Sequence, residues 1–272
     1  MFEEILENDN SIFKNNEVFN ADYFPEITQC RDKELKSILI NIKPLVTNNK
    51  ALNTMIIGKS STGKTTVIKQ ALMEIELYTD LKTCYINCNI QNTLRKVYFQ
   101  LFNVLYEIPP TANAGTEQIQ WEVMRKLENE SLVLVIDDIN YLNKSDSNKL
   151  INELFRANEF YHVNMAIIII VNNLLFKYSL EKNVQNVLQG QEIYFKEYTE
   201  EEVYHILKYR CKLGFKEGII TDKQIRKISK NTVYFFNIRK ALTILNMLGQ
   251  KIESENRDKI TDEDLEEYLI TN

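Results

Sequence analysis

Eight residues in a row, Gly58-Lys59-Ser60-Ser61-Thr62-Gly63-Lys64-Thr65, carry the strongest chemistry of the chain, with Thr66 directly after them. Their spacing is G-x-x-x-x-G-K-[ST], the pattern of a phosphate-cradling loop. Small residues let backbone N–H groups turn inward around phosphate oxygens, and a helix starting at the loop's end adds positive potential. In that arrangement Lys64 reaches the terminal phosphates of ATP, or of ADP once one is lost, and Thr65 offers its hydroxyl to Mg²⁺. A second cluster supplies carboxylates. Leu132-Val133-Leu134-Val135-Ile136-Asp137-Asp138 is an apolar strand closed by two acids. In an open α/β sheet, ligands bind at the C-terminal ends of the strands. Asp137 is therefore expected to hold Mg²⁺ through water. Asp138 either orients the attacking water or caps a turn, and its short side chain points to slow hydrolysis. Asn172, after the apolar stretch 165–171, either hydrogen-bonds the attacking water or the γ-phosphate, or is an ordinary turn residue. Arg239, early in a helix, reaches across to the γ-phosphate or stands as a surface charge.

Such groups need a scaffold, and the pattern of the chain supplies one. Stretches 53–57, 83–88, 132–136, 165–171 and 192–195 read as strands. Helical spacing occupies 64–77, 93–105, 116–127 and 149–157, with a proline-bearing loop at 107–115. Alternating strands and helices predict a parallel sheet covered on both faces. After residue 197 only helices remain. Thr199 with Glu202 and Thr221 with Gln224 form capping boxes. Ile238, Ala241, Leu242 and Leu245 keep helical spacing, and Thr261 opens a last helix to residue 270. The fold class expected is α/β, a P-loop sheet sandwiched by helices and followed by a small all-α lid. The divisions are an N-terminal extension over 1–20, a nucleotide-binding domain over 21–197 and a lid over 198–272.

Composition narrows the rest. Of 272 residues, 44% are hydrophobic, enough for a sizeable core. The longest apolar run, 165–171, is far below the roughly 20 residues a bilayer-spanning helix needs. The first ten residues are acidic without an apolar signal region. These features lead to the expectation of no membrane partner and a cytoplasmic, nucleoid-associated location, or a nuclear one in a eukaryote. Cys30, Cys84, Cys88 and Cys211 are scattered and read as reduced core thiols. His162 and His205 lack ligand spacing. The formal net charge is −5, against a general nucleic-acid coat. Residues 208–240 nevertheless hold ten Lys/Arg against Glu217 and Asp222, a local +8. That stretch either follows a phosphate backbone or consists of solvated helix faces. Trp121 reads as a helix packing residue. Tyr234-Phe235-Phe236 read as lid core, with base stacking as the alternative.

Over residues 21–269 the chain resembles the Orc/Cdc replication initiators, a branch of the AAA+ ATPases. Glu26-Ile27-Thr28-Gln29-Cys30-Arg31-Asp32-Lys33-Glu34 looks like that family's adenine-side box, which implies nucleotide contacts for Ile27 and Arg31. Cys84-Tyr85-Ile86-Asn87-Cys88 is similar to its second strand. Asn152-Glu153-Leu154-Phe155-Arg156-Ala157-Asn158 is similar to the helix before its fourth strand. Ile170-Val171-Asn172-Asn173-Leu174 occupies its sensor-1 position. Tyr198, Ile206-Leu207, Arg210 and Phe215 fit the start of its lid. Asn237-Ile238-Arg239-Lys240-Ala241-Leu242 looks like its sensor-2 helix, with Arg239 the matching arginine. The resemblance implies Mg·ATP binding between sheet domain and lid, with bound nucleotide controlling assembly. The partners implied are duplex DNA, held weakly by this chain alone, and other initiator or AAA+ subunits.

Three departures accompany the resemblance. Leu180-Glu181-Lys182-Asn183-Val184 has Asn183 where the family often carries the arginine given to a neighbour's site. Such a finger is worth on the order of 10³–10⁵ in rate, and Lys182 substitutes only weakly. Phe236-Asn237 replaces Gly-Asp before the sensor-2 arginine. The family's C-terminal winged helix has no counterpart, which implies a short relative or a truncated chain. The segment 89–115, which touches duplex DNA in the family, has only Arg95 and Lys96 as basic residues here. Two further readings stay open: a non-hydrolysing, nucleotide-loaded scaffold subunit, and a regulatory ATPase of a mobile element or defence system.

Overall fold

The continuous apolar runs become the interior strands of one sheet. The structure, a computed structural model, describes residues 11–20, 23–25, 27–188, 190–235 and 237–269. Glu26, in the adenine-side box, and Phe236, in the sensor-2 departure, lie outside the described residues. Five strands, β1 (Thr54–Ile57), β2 (Lys82–Asn87), β3 (Leu132–Asp137), β4 (Met165–Val171) and β5 (Gln191–Tyr194), pair in parallel in the order β2-β3-β4-β1-β5. Both β3 and β4 are buried along their whole length. A parallel strand covered on both faces requires such an unbroken apolar run. Successive residues serve opposite cores: Leu134 and Ile136 face one layer, Val133 and Val135 the other. The register sets Asn87 beside Asp137, Ile136 beside Ile169 and Ile57 beside Val171, so the C-terminal ends of four strands finish within about one residue of each other.

Around the sheet lie α1 (Asp32–Val46), α2 (Lys64–Tyr78), α3 (Leu94–Tyr106), α4 (Thr116–Leu127), α5 (Lys144–Phe155), α6 (Ala157–Tyr161), α7 (Leu175–Ser179) and α8 (Lys182–Val187). Helix α1 has no counterpart among the expected elements. Its buried Ile38, Ile42 and Leu45 sit one turn apart, and buried Asn41 donates to the Thr54 hydroxyl at 3.0 Å. Helix α5 starts five positions before the expected 149, because the Asn143 side chain caps it by accepting from the Asp146 amide. Trp121 corrects its expectation. Helix α4 buries Ile119, Val123, Met124 and Leu127, which leaves Trp121 on the outer side, 52% exposed, with the Arg125 guanidinium over its ring.

The chain divides into two compact units, residues 31–196 and residues 1–30 with 197–272. The second unit is built from α9 (Glu200–Gly214), α10 (Asp222–Phe235), α11 (Ile238–Ser254) and α12 (Asp262–Glu266). Thr199, Thr221 and Thr261 each exchange hydrogen bonds with the residue three positions on. Its division from the sheet unit differs from the expected one at the N-terminal side. Phe13 bridges Phe215 and stacks on its ring, and Phe19 lies tilted against Phe215 in the helical core. Buried Arg210 donates to the carbonyls of Val18 and Tyr23. Gly214 and Gly249 make room: a Cβ on either would lie 2.3 Å from a ring atom of Phe19 or Phe13. Residues 11–19 are thus part of the helical core.

The aromatic cluster at the end of α10 also corrects its reading as lid core. The buried positions of α10 are Gln224, Ile225, Ile228, Ser229 and Thr232, and the same period turns Tyr234 and Phe235 outward, 66% and 42% exposed. Cys84, Cys88 and Cys211 are buried free thiols, and Cys30 is partly exposed. Among the described residues no helix is long and apolar enough to cross a membrane.

Candidate nucleotide-binding site

The loop between β1 and α2 is shaped for anions by its backbone. Ser61 and Gly63 both take left-handed conformations, with φ of 64° and 88°. Alternation of this kind turns successive N–H groups toward one concavity. Gly63 is also the N-cap of α2, so the helix N-terminus opens onto the loop. The Ser61 hydroxyl is buried without a hydrogen-bond partner. A buried polar atom left so costs about 1–3 kcal/mol, and a phosphate oxygen in the loop would satisfy it. Thr62 is buried; its hydroxyl donates to the Lys59 carbonyl at 2.8 Å and pins the turn. Gly58 admits no side chain, because a Cβ there would lie 2.5 Å from the Phe195 carbonyl oxygen. Lys59 and Ser60 are exposed on the loop, and Thr66 lies in the first turn of α2.

Lys64 is 6% exposed, and its ammonium bonds the Gly58 and Lys59 carbonyls at 2.6 and 2.8 Å. It also reaches Asn172 Oδ1 at 3.3 Å, and Asn172 Nδ2 in turn donates to Asp138 Oδ1 at 3.3 Å. Three chain segments that are distant in sequence, the P-loop and the ends of β3 and β4, are so joined through polar atoms. Asp138 stands at φ 54°, ψ 40°, a left-handed position that Asp tolerates better than most residues. Its side chain does not cap the following 3₁₀ turn, Ile139–Tyr141, and points to Asn172 instead.

Asp137 is 1% exposed. Its Oδ2 accepts from the Thr65 hydroxyl at 2.8 Å and from the Tyr85 phenol at 2.6 Å. With its proton given to Asp137, the Thr65 oxygen keeps lone pairs free for a cation. Hard oxygen donors of this kind suit Mg²⁺. The donor set therefore fits a Mg·nucleotide, with Thr65 and Asp137 on the metal side and the loop, Lys64 and Ser61 on the phosphate side. Burial and the Asp137 carboxylate push the Tyr85 phenol well above its ordinary range. Burial, followed by Asp137 and Asp138, raises the Cys88 thiol to about 12. Both groups stay protonated at neutral pH.

Tyr85 is absent from the residues expected at the site. The faint signal for it is register: Tyr85 pairs with Val135, two positions before Asn87 meets Asp137. Residues two apart on a strand share a face, so a long side chain at 85 reaches toward the carboxylate. That register belongs to the folded sheet.

Arg31, expected against the nucleotide, is 4% exposed and bound to protein atoms. Its Nε donates to the Thr62 carbonyl at 3.1 Å, one terminal nitrogen to Glu34 at 3.0 Å and the other to the Lys196 carbonyl at 2.5 Å. Its guanidinium also lies 5.5 Å from the Phe195 ring centroid. Arg31 thus supports the loop from behind. Ile27 and Arg239 belong to the other compact unit, where each is exposed. Arg239 stands in the first turn of α11, after the Asn237 cap.

Comparison with known proteins places this geometry. Residues 47–178 match a family profile described as an AAA domain, and residues 204–267 one described as a Cdc6 AAA+ ATPase-type lid domain. The ORC1-type DNA replication protein 2 of Methanothermobacter thermautotrophicus is 32% identical over 272 residues, covering 98% of this chain and 72% of the relative. Among solved structures, the Aeropyrum pernix ORC1 protein in complex with DNA superposes with a TM-score of 0.85 at 22% identity, over 96% of this chain and 70% of that one. The Aeropyrum pernix ORC2 protein, solved as ADPNP-ADP complexes, superposes with a TM-score of 0.80 at 19% identity, over 94% and 71%.

Proposed function

We propose, from the premise that this chain belongs to the ORC1-type family of AAA+ DNA replication proteins, that it binds Mg·ATP and hydrolyses it slowly to control assembly on duplex DNA. The single observation that carries the reading is the joined network of Lys64, Asn172 and Asp138 beside Thr65 and Asp137. When bound, Mg²⁺ neutralises charge on the β- and γ-phosphates. Lys64 supplies positive charge at the mouth of the loop. Thr65 and Asp137 are the residues that would hold the metal. Asp138 accepts a proton or orients a water, and Asn172 fixes the direction of that carboxylate by donating to Oδ1. Arg239 is proposed as the lid residue that senses the γ-phosphate, and Ile27 as an adenine contact. Arg31 acts by holding Thr62.

Slow turnover is proposed because Asp138 is short and one of its oxygens is shared with Asn172. A second reading, a nucleotide-loaded scaffold among initiator subunits, is favoured by Asn183. It is exposed on α8 and cannot offer a neighbour a positive charge. The experiment is Mg·ATP binding and steady-state hydrolysis by the wild type, Lys64→Ala and Asp138→Ala, each with and without duplex DNA. The switch reading expects Lys64→Ala to bind ATP roughly 10–100-fold more weakly, the worth of a lost charge-assisted contact. It expects Asp138→Ala to bind normally and lose at least about 10²-fold in rate. Tight binding with no turnover in the wild type, indifferent to DNA, establishes the scaffold. Absence of nucleotide binding ends both readings.

A further inference from the structure

Two hydroxyls meet on a single oxygen of Asp137. The Thr65 bond has a role in the nucleotide site, because it leaves that hydroxyl's lone pairs toward the metal. The Tyr85 bond has none yet. Tyr85 comes from β2, an edge strand of the sheet, and its phenol approaches Asp137 Oδ2 at 2.6 Å, closer than Thr65 at 2.8 Å. Asn87 stands beside the same hydroxyl, and the Lys69 ammonium lies 6.0 Å from the ring centroid. A buried carboxylate with one donor can swing about its terminal torsion, which is broad and soft. With two donors from different elements, α2 and β2, it is fixed in plane.

We propose that Tyr85 is a positioning residue for Asp137, setting the orientation in which that carboxylate and Thr65 receive Mg²⁺. The proposal rests on the nucleotide reading of this site. Tyr85 touches neither metal nor phosphate; it works through Asp137. Loss of an outer-shell partner of this kind typically costs about 10–100-fold in metal affinity. Its signature is selective. The Tyr85 hydroxyl bonds Asp137 and not the phosphate cradle formed by the loop and Lys64, so affinity for nucleotide without metal is expected to stay as it is.

The test titrates Mg²⁺ against binding of a fluorescent ATP analogue, and repeats the binding in EDTA. The proteins are the wild type, Tyr85→Phe, Asp137→Ala and the double variant, each checked for folding by thermal melting. Expected for Tyr85→Phe is a Mg²⁺ midpoint raised about 10-fold with EDTA affinity unchanged. In the double variant the midpoint matches that of Asp137→Ala, since Tyr85 has no acceptor left to act through. An unmoved midpoint overturns the proposal, as does a further shift in the double variant. Phe keeps the ring, so a Tyr85→Phe protein that fails to fold makes the hydroxyl structural and overturns it too. A wild type that binds no nucleotide is a different failure: it overturns the reading of the whole site, and Tyr85's role with it.

Discussion

Asn172 is held from both sides of its amide. Its oxygen accepts from Lys64 and its nitrogen donates to Asp138, each at 3.3 Å. This fixes which end of the amide faces which charge, since an ionised carboxylate only accepts and an ammonium only donates. Asn172→Asp replaces the donor to Asp138 with a second negative charge. The expected result is ATP hydrolysis slowed about 10²-fold or more, the scale of one lost preorganised donor. Single-turnover hydrolysis checks it, and a rate within a few fold of the wild type would remove Asn172 from the machinery. At this scale the sequence was most readable. Phosphate chemistry demands glycine, lysine and a hydroxyl at fixed spacing, so Gly58, Gly63, Lys64 and Thr65 announce themselves. Tyr85 did not, because its partner lies 52 positions away and depends on strand register. Arg31 was visible, but its three protein acceptors were not.

At the scale of elements, α12 is tied down by charge. Asp264, 4% exposed, accepts a paired contact from the Arg257 guanidinium at 2.7 and 2.8 Å and closes the Thr261 capping box. The Lys251 ammonium lies 3.1 Å from it. The Arg257 hydrogen bonds outweigh the opposing effect of burial and hold the Asp264 carboxyl far below its ordinary value. A depressed folded-state value means that the carboxylate stabilises the fold fully above its unfolded value near 3.8, and loses that contribution as pH falls below it. Asp264→Asn is therefore expected to melt at a lower temperature than the wild type at pH 7. The gap should narrow below about pH 4. A gap that is constant with pH would assign the loss to packing. Capping boxes are legible because they are local. The segment 11–19 was not: one 3₁₀ turn and four apolar side chains carry no period, and their partners lie near the other end of the chain. Trp121, Tyr234 and Phe235 misled for the opposite reason. Bulk apolar residues suggest a core, yet helix phase decides the side they occupy.

At the scale of the whole molecule, the basic stretch 208–240 proves to be only partly available. Arg210 is buried on backbone carbonyls, while Lys208, Arg226 and Lys227 are paired with Asp222, Glu201 and Glu266. Lys212, Lys216, Lys223, Lys230, Arg239 and Lys240 are exposed and make no ion pair among the described residues. These six are the cations of the stretch most readily given to phosphates. Binding of duplex DNA by this chain is expected to be weak, with a slope of log K against log salt no steeper than about −5. Affinity measured across a salt series checks this; a steeper slope would mean that phosphates are held elsewhere on the surface.

The arrangement of neighbours in this fold also sets a schedule for its birth on the ribosome. Asn53, at the foot of β1, bonds Ile167, 114 positions later, and Arg210 waits on Val18 across 192. Ile12 finds Glu253 across 241. At roughly 5–20 residues per second, the N-terminal aromatic segment would emerge about 10–50 s before its glycine-floored seat on α9 and α11 exists. Throughout that interval Phe13 and Phe19 have no native cover. Residues 12–19 are therefore made well before the helices that bury them.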